Sequence, residues 1–466
     1  MKILNTLSKT KEEFKPLAGN TINMYTCGVT VYDHCHIGHG RSLYVFEVMR
    51  RYLKYKGFKV NFIRNITDID DKIINRARTW ADEQSISLQE AFDKVRNAYI
   101  DSYYDDLKRL CIPKADLEPK ATENISDMIE YIGKLIAKEF AYEVSGSVYF
   151  SVRKVKDYGK LSGKKIDDLL ESVRIDSDTA KKDPLDFALW KKAKEDEPNW
   201  DSPWGKGRPG WHIECSVMSQ KYLKTQTLDI HGGGRDLVFP HHENEIAQSQ
   251  SLTGKTFANY WIHHGLLTID KQKMAKSLGN FITIKAVLDK YPADVLKVFY
   301  LQAHYSSSID FSWERMEEAK KAYERIDILL GKVKQLPASE PKTKEILKLK
   351  SDFSESMDDD FNMPKGLAVL FDLVNLCNKA IDDDDRTLLS EGYFLLKQIS
   401  DIFSLTFETK ELEGISESEI ENLVQLRIES KNKKDYIQAD KIRKELEAKG
   451  IILEDTKDGT KWRRKL

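Results

Sequence analysis

The sequence predicts an α/β chain: a parallel-sheet domain interrupted by an inserted subdomain, then an α-helical bundle, then a small basic C-terminal module. Three observations carry this. A strand, loop, helix, strand pattern fills residues 22–64, and apolar residues recur three and four apart after Ser312. The tail from Arg427 to Leu466 holds 13 lysines and arginines against 8 acids, while the whole chain has a net charge of −1. A chain of 466 residues exceeds one ordinary core and suits roughly three domains.

Ile22 to Thr26 reads as a strand. After the loop at Cys27-Gly28, a helix runs from near Gly40 to Lys56 and stops at Gly57, and Lys59 to Arg64 alternates as a second strand. This is one βαβ unit, whose ligands sit beyond the carboxyl ends of its strands. Ser87 to Lys138 is mostly helical, and EVSGSVYFSV (143–152) reads as strand with a turn at Ser145-Gly146. The lysine-rich, proline-punctuated stretch 153–210 belongs to an insertion of about 115–210, and the sheet resumes with DIHGGGRDLVFPHHEN (229–244). Met316, Ala319, Tyr323, Ile326, Leu330 and Val333 form one buried stripe. LAVLFDLVNLCNKAI (367–381) gives another helix, and Asp382 to Asp385 reads as a solvated turn. The expected domains are 1–310, 311–405 and 406–466.

With 41% hydrophobic and 32% charged residues, wholesale disorder is excluded. No run approaches the roughly 18 apolar residues of a membrane span, and the N-terminus has no apolar signal core. Cys27, Cys35, Cys111, Cys215 and Cys377 form a scattered, odd set that fits reduced thiols in the cytoplasm. A polyanionic partner would need local basic patches, since the net charge offers no general attraction.

Two short motifs suggest a split nucleotide site. His36-Ile37-Gly38-His39 places two imidazoles three residues apart at a helix start, where free backbone N–H groups meet an anion; it also reads as a plain helix cap. Lys273-Met274-Ala275-Lys276-Ser277, followed by Gly279, offers two cations to a transferring phosphoryl group, or else an ordinary surface pair. Gly232 to Gly234 ahead of Asp236 permit close approach of a ligand, or simply a turn. His241 and Glu245, four apart, present two metal ligands on one helix face. Cys27 and Cys215 can supply two more from strand or loop ends, although single buried cysteines are also ordinary small hydrophobes. HHENE is not a zinc-protease motif, because Ile246 stands where HExxH needs its second histidine.

The histidine and lysine motifs in this order resemble the class I aminoacyl-tRNA synthetases. The wider set TCGVTVYDHCHIGHGR, NITDIDDKI, GWHIECS, HGGGRDLVFPHHENE, KMAKSLGN and GTKWRR resembles the cysteinyl-tRNA synthetase family along almost the whole chain. Ala275 replaces the usual serine, and Val29 stands where the family often has proline or isoleucine. The resemblance implies a Rossmann-like catalytic domain and a catalytic set of His36, His39, Lys273 and Lys276. It implies ATP contacts from His36, Gly38, His39, Gly234, Asp236 and Lys276, and substrate contacts from Cys27, Gly28, Thr67, Trp211 and Asp236. It further implies one Zn2+ held by Cys27, Cys215, His241 and Glu245, with ATP and Mg2+ as the nucleotide partners. The expected reaction joins L-cysteine to tRNA(Cys), in a cytoplasmic monomer. Soft zinc–sulfur ligation would select cysteine over serine without an editing domain. The bundle and the tail, with Trp462 among Lys461, Arg463 and Arg464, are expected to meet the tRNA. A ligase that passes the same adenylate to an amino sugar shares this core but lacks such a tail. A nucleic-acid-binding protein with an inactive nucleotide fold is disfavoured by the presence of both histidines, both lysines and all four metal-ligand positions.

Overall fold

A computed structural model describes residues 1–166, 181–274, 279–407, 417–456 and 459–464. A short antiparallel hairpin, β1 (Lys2–Asn5) and β2 (Thr10–Glu13), precedes the first βαβ unit, which is β3 (Thr21–Thr26), α1 (Ile37–Tyr55) and β4 (Lys59–Arg64). The helix begins three residues before the sequence suggested, because His36 caps it with its ring. Alternation in β3 and β4 gives way to continuous burial at their carboxyl ends, as expected of strands covered on both faces.

Two helices follow, α2 (Asp71–Gln84) and α3 (Leu88–Arg109), then α4 (Ile125–Ala137). The insertion is a four-stranded antiparallel sheet of β5 (Ala141–Val144), β6 (Ser147–Phe150), β7 (Phe187–Lys192) and β8 (Gly207–Pro209). The expected turn joins β5 to β6, with Ser145 and Gly146 at φ 53° and 91°. Positive φ at both central residues lets a two-residue hairpin follow the strand twist.

The main sheet is completed by α5 (Trp211–Leu223), β9 (Leu228–Gly234), α6 (Glu243–Thr253) and β10 (Ala258–His264). Its order is β10-β9-β3-β4, parallel throughout. From β3 the chain crosses to β4 on one side and later returns to β9 on the other. The crevice beyond Thr26 and Gly232 is therefore a topological switch point, the usual ligand position in such sheets.

Short strands β11 (Leu267–Ile269) and β12 (Gln272–Lys273) lead into the lysine motif. After it come α7 (Ile284–Leu288), α8 (Ala293–Leu301) and β13 (Ile309–Phe311), which pairs with β11. The bundle is α9 (Trp313–Val333), α10 (Lys344–Asp358), α11 (Met363–Asp382) and α12 (Arg386–Ile402). The α9 stripe is buried as the spacing predicts, except that Leu329 occupies the core and Leu330 is half-buried. The acidic run is a turn with a use: Asp385 accepts from the Leu388 N–H and caps α12. Helix α1 is buried almost all round, and its Tyr44 hydroxyl donates to Phe403 O at the end of the bundle, 2.7 Å away.

The chain divides into two compact units, Met1–Leu288 with Ala293–Thr406, and Phe407–Leu466 with the tetrapeptide Asp289–Pro292. The second unit contains α13 (Glu417–Asn432), α14 (Tyr436–Ala448) and the hairpin β14 (Ile451–Thr456) with β15 (Gly459–Arg464). Its core is Ile420, Val424, Ile442, Leu446, Ile451 and Leu453. Trp462, expected as a free stacking face, instead packs half-buried against this core opposite Leu453, because alternation along β15 points it inward. Arg427 grips Asp455 with both terminal nitrogens, at 2.8 and 2.9 Å. Leu446→Ala, at a fully buried position, should cost this unit about 2–5 kcal/mol. Hydrogen exchange should then speed up in residues 417–464 and stay unchanged in the main sheet.

Candidate active site and metal centre

The carboxyl ends of β3, β9 and β10 open into a cavity of about 610 Å³. Its lining includes Cys27, Gly28, Tyr32, His36, Gly38, His39, Lys72, Trp211, Gly234, Asp236, Met274 and Phe281. The two histidines hold one another. His39 Nδ1 accepts from the His36 N–H (3.3 Å), His36 Nδ1 accepts from the His39 N–H (3.2 Å), and the rings stack 3.7 Å apart. With both Nδ1 atoms occupied as acceptors, the neutral rings carry their protons on Nε2. The Ile37 and His39 N–H groups at the start of α1 are already donated, to Ile282 O and His36 Nδ1, so the imidazole N–H of His39 is the donor that this turn adds to the cavity lining. Burial, then the neighbouring His36, Lys72 and His264, holds the His39 pKa well below the usual imidazole range. His39 is a donor at neutral pH, not a cation.

Both flanks of the lysine motif meet this turn. Ile37 N donates to Ile282 O (3.1 Å), Ile284 N donates to Cys35 O (2.9 Å), and Phe281 sits edge-on to His36 at 5.3 Å. Met274 lies so close that a Cβ on Gly38 would come within 3.1 Å of its terminal methyl and 2.9 Å of the His36 ring. A larger residue there would press on the His36 ring and displace it. Lys273 closes β12; Ala275, Lys276 and Ser277 lie outside the described residues.

Gly28 is equally constrained, since a Cβ there would sit 1.6 Å from Asn65 O. Thr67 does not line the cavity. It is buried behind the Gly28–Val31 loop, where its hydroxyl donates to Glu214 Oε2 (2.8 Å) and accepts from Asn65 Nδ2 (3.1 Å). Asn65 Oδ1 in turn accepts from the Gly28 N–H at 2.9 Å. Thr67 thus braces the loop from beneath.

Cys27, on the cavity lining, leads to a buried cluster of sulfur, imidazole and carboxylate beneath it. Cys27 Sγ lies 3.6 Å from Cys215 Sγ and 3.6 Å from Glu245 Oε1, and His241 Nε2 lies 3.1 Å from the same carboxylate oxygen. Cys215 stands on α5 and not at a strand or loop end as expected, and His241 lies just before α6, whose first turn bears Glu245. The donor atoms of Cys27, His241, His242 and Glu245 all lie within 4.8 Å of one another. His242 nevertheless has both nitrogens engaged, Nε2 with Cys27 Sγ (3.1 Å) and Nδ1 with His263 Nε2 (2.7 Å). His241 contacts His212 through Nδ1 (3.0 Å), while its buried Nε2 has no well-aligned hydrogen bond. That orphaned nitrogen, two thiols and a carboxylate compose a fitting zinc set, with His242, His212 and His231 holding the ligands from outside.

The charges in the cluster are mutually dependent: burial lowers the His241 pKa, but Glu245 and Cys215 outweigh it and raise it to about 10. Burial opposes ionisation of Glu245, but His231 and His241 outweigh it and hold its pKa at about 2. Burial likewise works against a Cys215 thiolate, yet the Cys27 thiol and His241 bring it down to about 6. Burial and Cys215 push Cys27 up. Trp211 stacks on His241 at 4.2 Å and forms an apolar wall over the cluster.

The sequence reading missed Lys72 and Tyr32. Lys72 Nζ lies over the Tyr32 ring, 5.1 Å from its centroid, at the cavity edge. A signal existed: a lysine in the first turn of α2 opposes the helix dipole, and Asp71 beside it is taken by Lys191 and Arg208.

Residues 13–321 match the family described as tRNA synthetases class I (C) catalytic domain, and residues 352–408 match the DALR domain. Relatives extend over the full length. The cysteine–tRNA ligase of Thermodesulfovibrio yellowstonii is 47% identical, covering 100% of both chains. That of Sulfurihydrogenibium sp. is 48% identical, covering 100% of this chain and 99% of the relative. The chain belongs to the cysteine–tRNA ligase family. Among solved structures similar to it, the ternary complex of Agrobacterium radiobacter K84 agnB2 LeuRS, tRNA and LeuAMS has a TM-score of 0.61 at 11% identity, covering 86% of this chain and 87% of that one. Mycobacterium tuberculosis methionyl-tRNA synthetase with methionyl-adenylate gives 0.58 at 12% identity, covering 83% and 90%. These two show the class I fold alone. No helix among the described residues is long and apolar enough to cross a membrane.

Chelator-stripped protein should rebind one cobalt ion per chain with sulfur-to-cobalt charge-transfer absorption. Cys215→Ser should weaken that band, whereas His212→Ala should keep it and lower affinity about 10–100-fold. Identical spectra for the wild type and Cys215→Ser would remove Cys215 from the ligand set.

Proposed function

We propose that this protein is a cytoplasmic, monomeric cysteine–tRNA ligase. It activates L-cysteine with ATP and then transfers it to the 3′ end of tRNA(Cys). The observation that carries the reading is one cavity lined by His36, Gly38 and His39 and by Cys27 of the thiol, imidazole and carboxylate cluster, in a chain whose cysteine–tRNA ligase relatives match it end to end.

In the first step a carboxylate oxygen of cysteine attacks the α-phosphorus of ATP, and pyrophosphate departs. The nucleophile is already ionised, so the residues need only position it and absorb charge. His36 and His39 direct Nε2–H groups at the phosphates, Gly38 allows their approach, and Lys273 and Lys276 screen the leaving pyrophosphate together with Mg2+. Gly234 and Asp236 border the adenosine and substrate side. In the second step a hydroxyl of the terminal ribose attacks the adenylate carbonyl and AMP departs.

One zinc ion, held by Cys27, Cys215, His241 and Glu245, supplies a soft Lewis acid that favours a thiolate over a hydroxyl. Trp211 and Gly28 shape the space around the substrate, and Thr67 keeps the Gly28 loop in place. Residues 1–310 form the catalytic domain, with 115–210 inserted; 311–405 and 406–466 bind the tRNA. The basic tail supplies local cations that the whole chain, at −1, does not.

Lys276→Ala should slow cysteine-dependent adenylate formation by roughly 10²-fold or more, measured by single-turnover kinetics; a near-normal rate would sink its assigned role. A chain ending at Leu405 should keep most cysteine activation and lose charging of purified tRNA(Cys). Equal loss of both activities would count against separate chemical and recognition domains.

A further inference from the structure

Two residues beyond the histidine pair, Arg41 is completely buried. A buried guanidinium is normally compensated by a carboxylate; Arg41 is held by five backbone carbonyls. Nη1 donates to Gly265 O (2.9 Å) and Leu266 O (3.1 Å). Nη2 donates to His304 O (3.2 Å), Tyr305 O (3.3 Å) and Ser307 O (2.6 Å). Burial lowers its pKa only to about 10, so the cation persists at neutral pH.

The places it joins are informative. Gly265 and Leu266 directly follow β10 and lead through β11 into the lysine motif, and Leu266 and Leu267 line the cavity. The 304–307 segment precedes β13, the parallel partner of β11. Arg41 therefore fastens the turn carrying His36 and His39 to the leading flank of the lysine motif. The trailing flank is fastened to the same turn by the backbone bonds of Cys35 and Ile37 with Ile284 and Ile282. Tyr300, buried on α8, adds a hydroxyl donated to Ile37 O at 2.7 Å. Gly40 allows that approach, since a Cβ there would lie 2.8 Å from the Tyr300 oxygen.

We propose that Arg41, assisted by Tyr300, is a positioning residue for activation: it clamps the histidine turn in register with the leading flank of the lysine motif, while the backbone bonds hold the trailing flank, so that the two halves of the ATP site act on one phosphoryl group. A planar fork suits the place, because its two terminal nitrogens each take their own carbonyls, five in all, whereas an ammonium has one nitrogen and three donors.

The test compares Arg41→Lys with wild type in the full-length, zinc-loaded chain, and rests on the ATP-site reading above. The variant should lower kcat of cysteine-dependent pyrophosphate exchange by on the order of 10²-fold and raise the KM for ATP. The KM for cysteine and the zinc content should not change. Adding Lys276→Ala should then cost far less than it does in the wild-type background, because the alignment through which Lys276 acts is already lost. Losses that simply multiply, or a cysteine KM that rises with the ATP KM, would overturn the clamp and leave Arg41 a fold residue. If Lys276→Ala is silent in the wild type, the ATP-site reading fails by itself, and the split between the two KM values decides for Arg41. Should Arg41→Lys not fold, Tyr300→Phe takes its place with a several-fold loss of the same pattern, and an unchanged kcat and ATP KM in that variant would refute the proposal.

Discussion

The pairing of β3 with β9 is the constraint on which the site depends. The ladder runs from Met24 opposite Ile230 to Thr26 opposite Gly232, and extends one bond further, from the Cys27 N–H to Gly232 O at 3.1 Å. Because side chains alternate along a strand, a slip of one residue in β3 would turn Cys27 away from the cluster, and the same slip in β9 would send His231, which holds Glu245 at 2.8 Å, to the opposite face. The same strand ends release the loops that bear the histidine pair and Asp236. One register thus places the metal ligands and the nucleotide rim in a single crevice.

That crevice must accept opposite charges a short distance apart. At the rim, burial and neighbouring groups keep the His39 imidazole from becoming a cation. In the cluster beneath, Glu245 is held ionised by His231 and His241 against burial, and Cys215 is drawn toward ionisation by Cys27 and His241. A neutral donor above and anionic groups below let each half work without cancelling the other. Histidine serves in both places because its two nitrogens can be assigned separately. In His36 and His39 the Nδ1 atoms accept from the backbone of the helix start, while His241 contacts His212 through Nδ1 and places Nε2 3.1 Å from Glu245 Oε1.

Much of this was legible in the sequence because it rests on short-range patterns. The βαβ unit, the Ser145-Gly146 turn and the α9 stripe follow from periodicity and turn chemistry. His241 and Glu245 were legible as a candidate ligand pair from their spacing, whereas joining Cys27 and Cys215 to them came from resemblance, since these two lie far apart in the chain and no spacing rule links them. What escaped was tertiary. Thr67 shows a polar residue whose partners, Asn65 and Glu214, are fixed only by packing. Trp462 carries charge on either side, which reads as exposure until the hairpin turns it into the core. Arg41 followed the histidine motif as one more cation, because backbone carbonyls leave no trace in a sequence.

The central claim is that the cluster beneath this cavity selects a thiol and the cavity rim activates a carboxylate. ATP–pyrophosphate exchange with zinc-loaded protein, run in parallel with L-cysteine and L-serine, tests it most directly. Robust exchange with cysteine and little with serine is the predicted result, because a hydroxyl is a much poorer zinc ligand than a thiolate. Comparable exchange with both amino acids, or exchange without any amino acid, would contradict it.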